Sequence, residues 1–85
     1  MNIEKIWNRI KQNEGNLFYT ITGKEYRYVV YNDFLLIDDR KERRVTKEAI
    51  AKAITIKNPT PKKIGAAGCW APSYIYGIIT DKRMQ

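Results

Sequence analysis

The sequence predicts a small α+β domain with an N-terminal helix, a three-stranded antiparallel meander, and then one or two helices. Three patterns predict this fold. Apolar residues recur at helical spacing near the start of the chain, three aromatic and β-branched runs are separated by two-residue turns, and a second apolar stripe follows a charged segment. Because 44% of its 85 residues are hydrophobic, the chain is expected to fold as a single domain, residues 1–85.

The first helix is predicted by apolar residues at the spacing i, i+3, i+4 and i+7, which share one helical face: Ile3, Ile6, Trp7 and Ile10. Asn2 is a suitable N-cap, because its side chain can accept a hydrogen bond from a free backbone N–H of the first turn. Gly15 suits the left-handed position that follows many helices. We therefore expect a helix over residues 3–13.

Three strands are expected next, over residues 17–22, 25–31 and 34–38, because these runs are rich in aromatic and β-branched side chains. Gly23-Lys24 separates the first two, with glycine in the first position, as a type II′ turn prefers. Asn32-Asp33 separates the second and third, and both residues tolerate positive φ. Two short turns in succession predict an antiparallel meander.

Alternation along the second strand assigns its two faces. One face is expected to meet the N-terminal helix and holds Tyr26, Tyr28 and Val30. The other face carries the charges, is expected to be wetter, and holds Glu25, Arg27, Val29 and Tyr31.

The next segment, residues 39–44, is predicted to be a charged loop. Thr46 then offers an N-cap, and Glu48 lies in the first turn, where a negative charge favours the helix dipole. An apolar stripe follows, consisting of Ala49, Ile50, Ala53 and Ile54. We expect a helix over residues 47–55, which ends at the two prolines of residues 58–61.

The last third of the chain is ambiguous by pattern. Residues 74–80 have the composition of a strand, but the tyrosine and isoleucines also fit helical spacing. Pro72-Ser73 resembles a helix start, so we favour a helix, with a fourth strand as the alternative. The order is then α-β-β-β-α-α, with a core of Ile6, Trp7, Ile10, Phe18, Tyr28, Val30, Leu35, Ile37, Ile50, Ile54, Trp70 and Ile78.

The chain is strongly basic, and the charge is concentrated. It has 16 Lys and Arg against 9 Asp and Glu, a net charge of +7, and most of the excess lies in residues 40–63. A local positive potential attracts polyanions, and lysine and arginine bind phosphates without reading sequence. The first functional hypothesis is therefore a nucleic-acid-binding module that uses Arg27, Arg40, Lys41, Arg43, Arg44, Lys47, Lys52, Lys57, Lys62 and Lys63.

The alternative hypothesis is a small protein–protein interaction or regulatory protein. An exposed Trp70 beside Tyr74 and Tyr76 would form an aromatic patch ringed by basic groups, which suits an acidic protein partner. Trp70 is thus a candidate for the core and for this patch. The oligomeric state stays open.

The chain lacks residue types that several kinds of catalytic and metal site require. It has no histidine and one cysteine, Cys69, which excludes a Ser-His-Asp triad, a Cys-His pair and a Cys₄ zinc site within one chain. We therefore expect no enzyme activity, cofactor or metal, and we expect Cys69 to be a buried thiol. A lone cysteine, no signal-peptide pattern and no apolar run long enough to span a bilayer indicate a cytoplasmic protein without a membrane partner.

Overall fold

The structure, a computed structural model, describes residues 2–84. The helices are α1 (Ile3–Gln12), α2 (Lys47–Ala53), α3 (Pro61–Ala66) and α4 (Pro72–Ile79). The strands are β1 (Phe18–Tyr19), β2 (Glu25–Tyr26), β3 (Tyr28–Tyr31), β4 (Phe34–Ile37) and β5 (Arg44–Thr46). Two short 3₁₀ turns, Lys41–Arg43 and Lys82–Met84, precede β5 and follow α4. The predicted α+β layout of helix, antiparallel strands and helices is confirmed.

The antiparallel meander has the strand order β3-β4-β5, and one of its strands was not expected. Tyr28 lies opposite Ile37 and Leu35 lies opposite Val45, so residues 44–46, between the end of the predicted charged loop and α2, supply the third strand. The first apolar run instead forms a separate hairpin, in which β1 pairs with β2. Residues 25–31 pair first with β1 and then with β4, which explains why the three runs do not form one sheet.

The predicted two-residue turn at Gly23-Lys24 is wrong. The Thr20 N–H donates to the Lys24 carbonyl at 2.9 Å, and the Gly23 N–H donates to the Thr20 carbonyl at 2.9 Å. This closes a three-residue loop whose last residue, Gly23, has a φ of +88°. The turn at residues 32–33 is confirmed, with Asn32 at a φ of +39°.

Side-chain caps begin three of the four helices. Asn2 caps α1 and Thr46 caps α2, as the sequence predicts. Thr60 accepts a hydrogen bond from the Lys63 N–H at 3.1 Å and begins α3, which was not predicted. The helix α2 ends at Ala53, earlier than the prolines that were expected to end it, and residues 60–61 instead start α3. The final segment is a helix, α4, and not a fourth strand.

The core lies between the helices and the inner faces of the strands. Tyr26 and Tyr28 are buried and Val30 is half-buried on the face predicted to meet the N-terminal helix; Tyr28 does contact α1 at the Ile10 carbonyl, whereas the Tyr26 hydroxyl donates to the Tyr74 carbonyl of α4. The prediction that Trp70 belongs to the core is wrong, because its side chain is 53% exposed. The core also contains residues that were not predicted, namely Tyr26, Val45, Ile64, Ile75, Ile79 and Met84.

Candidate functional site

The outer face of the β3–β5 sheet carries a stack of two aromatic rings and a guanidinium group. The rings of Tyr31 and Phe34 are 5.6 Å apart between centroids and inclined by 18°. The guanidinium carbon of Arg44 lies 4.1 Å from the centroid of Phe34. We call these three residues the cation–aromatic stack. Their positions follow from the register, since Tyr31 pairs with Phe34 and the alternate residues of β5 share that face.

Much of the stack is exposed to solvent. Tyr31 is 41% exposed, Arg44 is exposed and Phe34 is half-buried. The Tyr31 hydroxyl donates to Asp39 Oδ1 at 2.9 Å. This hydrogen bond raises the pKa of Tyr31 above the ordinary tyrosine value. The exposed part of the Tyr31 ring is then available for another planar group.

Arg44 lies where three open grooves adjoin. The first, of about 480 Å³, is lined by Lys47 as well as Arg44. The second, also about 480 Å³, is lined by Lys41 together with all three residues of the cation–aromatic stack. The third, of about 220 Å³, is lined by Lys52 and Trp70. The structure therefore brings four of the predicted basic residues to one region and places Trp70 beside them.

Carboxylates are also part of this region. Asp33 and Glu48 line the first groove and Asp39 lines the second. Three of the predicted cations form ion pairs, Arg40 with Glu42 at 3.7 Å, Arg43 with Asp38 at 3.2 Å and Lys47 with Glu4 at 2.9 Å. Such pairs at the surface contribute little to stability, and they moderate the local positive potential.

The remaining predicted basic residues lie elsewhere. Arg27 donates to the Gly15 carbonyl at 2.9 Å and lines a different groove. Lys63 Nζ donates to the carbonyls of Lys57 and Asn58, so it helps to close the connection between α2 and α3. Lys62 is exposed on α3.

The three residues of the predicted aromatic patch have different environments. Trp70 is exposed, whereas Tyr74 and Tyr76 are half-buried. The ring of Tyr74 meets Tyr26 edge-on at 4.9 Å, and its hydroxyl accepts hydrogen bonds from Lys24 and Arg43 at 3.2 and 3.3 Å.

In the loop before α4, the side chain of Trp70 is exposed to solvent. Ala71 adopts the left-handed conformation, with a φ of +57°, immediately after Trp70. The preceding Cys69 turns inward instead, and its thiol contacts the Ala49 carbonyl at 3.5 Å. The prediction of a buried cysteine is confirmed.

Sequence reasoning missed Phe34 as a site residue. Its role depends on the contact with Arg44 of β5, a strand that was not predicted because its residues follow a run of charged side chains. The residue type gave no warning, because phenylalanine in a strand is usually a core residue.

Within residues 2–84, no helix is both long and apolar enough to cross a bilayer. The same part of the chain contains no cluster of three or more cysteine, aspartate or glutamate side chains suited to a metal ion. No protein-family model, curated protein or solved structure was found to match the chain.

Proposed function

We propose that the protein is a non-enzymatic nucleic-acid-binding module that binds single strands on the outer face of the β3–β5 sheet. The observation that supports this proposal is the cation–aromatic stack of Tyr31, Phe34 and Arg44 on a face open to solvent. Aromatic rings beside cationic groups are typical of surfaces that bind unpaired bases.

The stack supplies a flat surface for a base. The Tyr31 side chain is 41% exposed, and a base stacked on an aromatic side chain contributes about 1–3 kcal/mol. Arg44 packs on Phe34 and reaches the neighbouring grooves, where a phosphate can approach it. Base and phosphate binding are thus supported within one row of side chains.

Lysines border this surface on several sides. Lys41 and Lys47 line the two grooves next to the stack, and Lys52 lines the third. Residues 49–80 contain lysines and no acidic residue, so the positive potential extends from α2 towards α3. Lysines of this kind bind phosphates by releasing counterions and supply affinity without sequence preference.

The test is fluorescence anisotropy with a labelled single strand of about 15 nucleotides, a length that covers one small binding domain. With four phosphate contacts, the logarithm of the affinity falls with the logarithm of the salt concentration at a slope of about −3. Arg44→Gln and Lys41→Gln each weaken binding and reduce that slope. Lys11→Gln and Lys82→Gln remove the same charge from α1 and the C-terminal 3₁₀ turn and serve as controls.

Two results contradict the proposal. One is the absence of binding at about 50 mM salt, where electrostatic binding is strong. The other is an equal loss in the site variants and the controls, which would show that net charge alone attracts the strand. Comparison with a duplex of the same sequence tests the preference for unpaired bases.

An acidic protein partner is the second candidate, favoured by the exposure of Trp70 beside Lys52 in the third groove. Exposed tryptophans commonly dominate protein interfaces. A pull-down with the unchanged chain and with Trp70→Ala tests it, and a partner retained equally by both counts against it.

A further inference from the structure

The two edges of the β3–β5 sheet differ in their free hydrogen-bonding groups. The Lys47 N–H donates to the Asp33 carbonyl at 2.7 Å, one step beyond the paired residues of β4 and β5. In an antiparallel ladder, hydrogen-bonded pairs alternate along each strand. Val45 therefore bonds to Leu35, and the backbone N–H and C=O groups of Arg44 and the N–H of Thr46 point away from β4.

The edge at β3 is closed. The Gly15 N–H donates to the Tyr28 carbonyl at 3.1 Å, and the Val30 N–H donates to a carboxylate oxygen of Glu14. These are the groups that the same alternation directs outward from β3. The loop after α1 thus occupies this edge.

The edge at β5 is open. No side chain or loop backbone within residues 2–84 forms a hydrogen bond with the outward backbone groups of Arg44 or Thr46. The Thr46 hydroxyl accepts a hydrogen bond from the Ala49 N–H and caps α2, while the alternation along β5 directs the Thr46 N–H outward. An unpaired strand edge is a template for pairing with another chain.

This open edge forms one wall of the third groove. The other walls are α2, through Glu48, Ala49 and Lys52, and the loop before α4, through Gly68, Cys69 and Trp70. The groove measures about 220 Å³ and combines an exposed indole, an apolar wall, two cations, Lys52 and Arg44, and one carboxylate, Glu48. A strand edge with side-chain contacts beside it is the arrangement used in β-strand addition.

We propose that β5 accepts an extended acidic peptide from a partner protein as an additional strand. The peptide backbone pairs with Arg44 and Thr46, its apolar side chains contact Trp70, and its carboxylates face Lys52 and Arg44. Because successive side chains of an extended peptide point to opposite faces, the apolar side chains lie on one face and the carboxylates on the other. The inference extends the acidic-partner candidate and is independent of nucleic-acid binding.

The positive charge of the protein favours a negatively charged peptide as the partner of the β5 edge. The lining of the groove contains two cations, Arg44 and Lys52, against one carboxylate, Glu48, and the chain carries a net charge of +7. A second copy pairing edge to edge would bring two such charges together, so repulsion disfavours it. A negatively charged peptide is attracted by the same field.

The experiment uses the full chain and a labelled peptide of about eight residues, an ordinary strand length, that alternates glutamate and leucine. Anisotropy is expected to show binding, and nuclear magnetic resonance is expected to show slowed exchange of the Arg44 and Thr46 amides. A peptide with its pairing amides N-methylated and the variant Trp70→Ala are each expected to bind at least about tenfold more weakly. Tyr19→Ala, which alters an exposed aromatic residue of the hairpin, serves as the matched control.

Equal binding of the N-methylated peptide would overturn strand addition, since that peptide keeps its charge and side chains. Slowed amide exchange only outside β5 would also overturn it. So would an uncharged peptide that binds as tightly as the acidic peptide. Lys41→Gln separates the two proposals because it weakens oligonucleotide binding and leaves peptide binding unchanged. Failure of either proposal is then visible without failure of the other.

Discussion

Gly77 determines how closely α4 approaches the hairpin. A Cβ built on Gly77 would lie 2.5 Å from the Tyr19 carbonyl oxygen and would also overlap the Tyr26 hydroxyl. That hydroxyl donates to the Tyr74 carbonyl at 2.7 Å, so the crowded atoms are themselves fixed. The contact between α4 and β1 therefore requires the absence of a side chain at one position.

Gly77→Ala is expected to destabilise the protein by about 2 kcal/mol, because overpacking outweighs the gain in helix propensity. Gly65→Ala is the matched control, since its added Cβ meets Pro72 at an ordinary 3.5 Å. It is expected to be neutral or to stabilise by up to about 1 kcal/mol. Urea unfolding measures both, and equal stability of the two variants would contradict the steric argument.

Two tyrosines make the fold sensitive to alkali. Burial is the main cause that raises the pKa of Tyr26 and of Tyr28 above the ordinary tyrosine value, which is about 10. Each folded-state pKa exceeds the unfolded one, so their contribution to stability is complete below pH about 10 and is lost as the pH rises through the folded values. The free energy of unfolding should then fall by up to about 1.4 kcal/mol per pH unit for each tyrosine.

Absorbance of tyrosinate during a pH titration, combined with urea unfolding at each pH, checks this expectation. Tyr28→Phe removes one of the two groups and should flatten the decline, although it also removes a hydrogen bond of 2.6 Å to the Ile10 carbonyl. Titration of all six tyrosines in one transition near pH about 10 without unfolding would contradict it.

At the scale of elements, the sequence predicted those that have a strong apolar period. The stripes of α1 and α2 bury Ile6, Trp7, Ile10, Ile50 and Ala53, as their spacing indicates. The helix α3 was missed because six residues are too few to show a period, although Thr60-Pro61 is a typical N-cap and first helical residue. Strand β5 was missed because it has three residues, of which only Val45 is buried.

The sequence predicted which segment supplies the basic residues of the site, but it did not predict how those residues are arranged. The charge pattern identified the segment that contains Arg44. Its contact with Phe34 depends on the register of β5 against β4, which no local pattern specifies when a strand is so short. The left-handed Ala71 that exposes Trp70 was equally unpredictable, because alanine rarely adopts that conformation.

The alternation of backbone groups in β5 gives a testable pattern of hydrogen exchange. The Val45 amide is expected to exchange slowly because it bonds to β4, whereas the amides of Arg44 and Thr46 exchange rapidly. On the other edge, the Val30 amide is expected to be protected until Glu14→Ala removes its acceptor. Slow exchange at Arg44 in the unliganded protein would show that the β5 edge is occupied.

Across the whole molecule, the C-terminal turn connects the N-terminal helix to the hairpin. Arg9 donates to the Met84 carbonyl at 2.8 Å, and Arg83 donates to the Leu17 carbonyl at 2.8 Å. The guanidinium group of Arg83 also lies 4.0 Å from the ring centroid of Phe18. The two ends of the chain are thus joined by hydrogen bonds, and such contacts between distant segments favour cooperative unfolding.

Met84→Ala is expected to lower the free energy of unfolding by about 3 kcal/mol, because its side chain is fully buried in the common core. Met84→Leu conserves volume and should cost less than about 1.5 kcal/mol. Urea unfolding followed by circular dichroism measures both. A loss below about 1 kcal/mol in the alanine variant would mean that the turn is not part of the cooperative unit.

The contrast between the two tryptophans provides the molecule with a pair of optical probes. Trp7 is 2% exposed and its indole N–H donates to the Asn32 carbonyl, whereas Trp70 is 53% exposed. A soluble quencher such as acrylamide therefore reaches Trp70 first. Shielding of its emission reports on occupancy of the adjoining groove, while a red shift from Trp7 reports loss of the fold, so one fluorescence spectrum distinguishes the two events without a label.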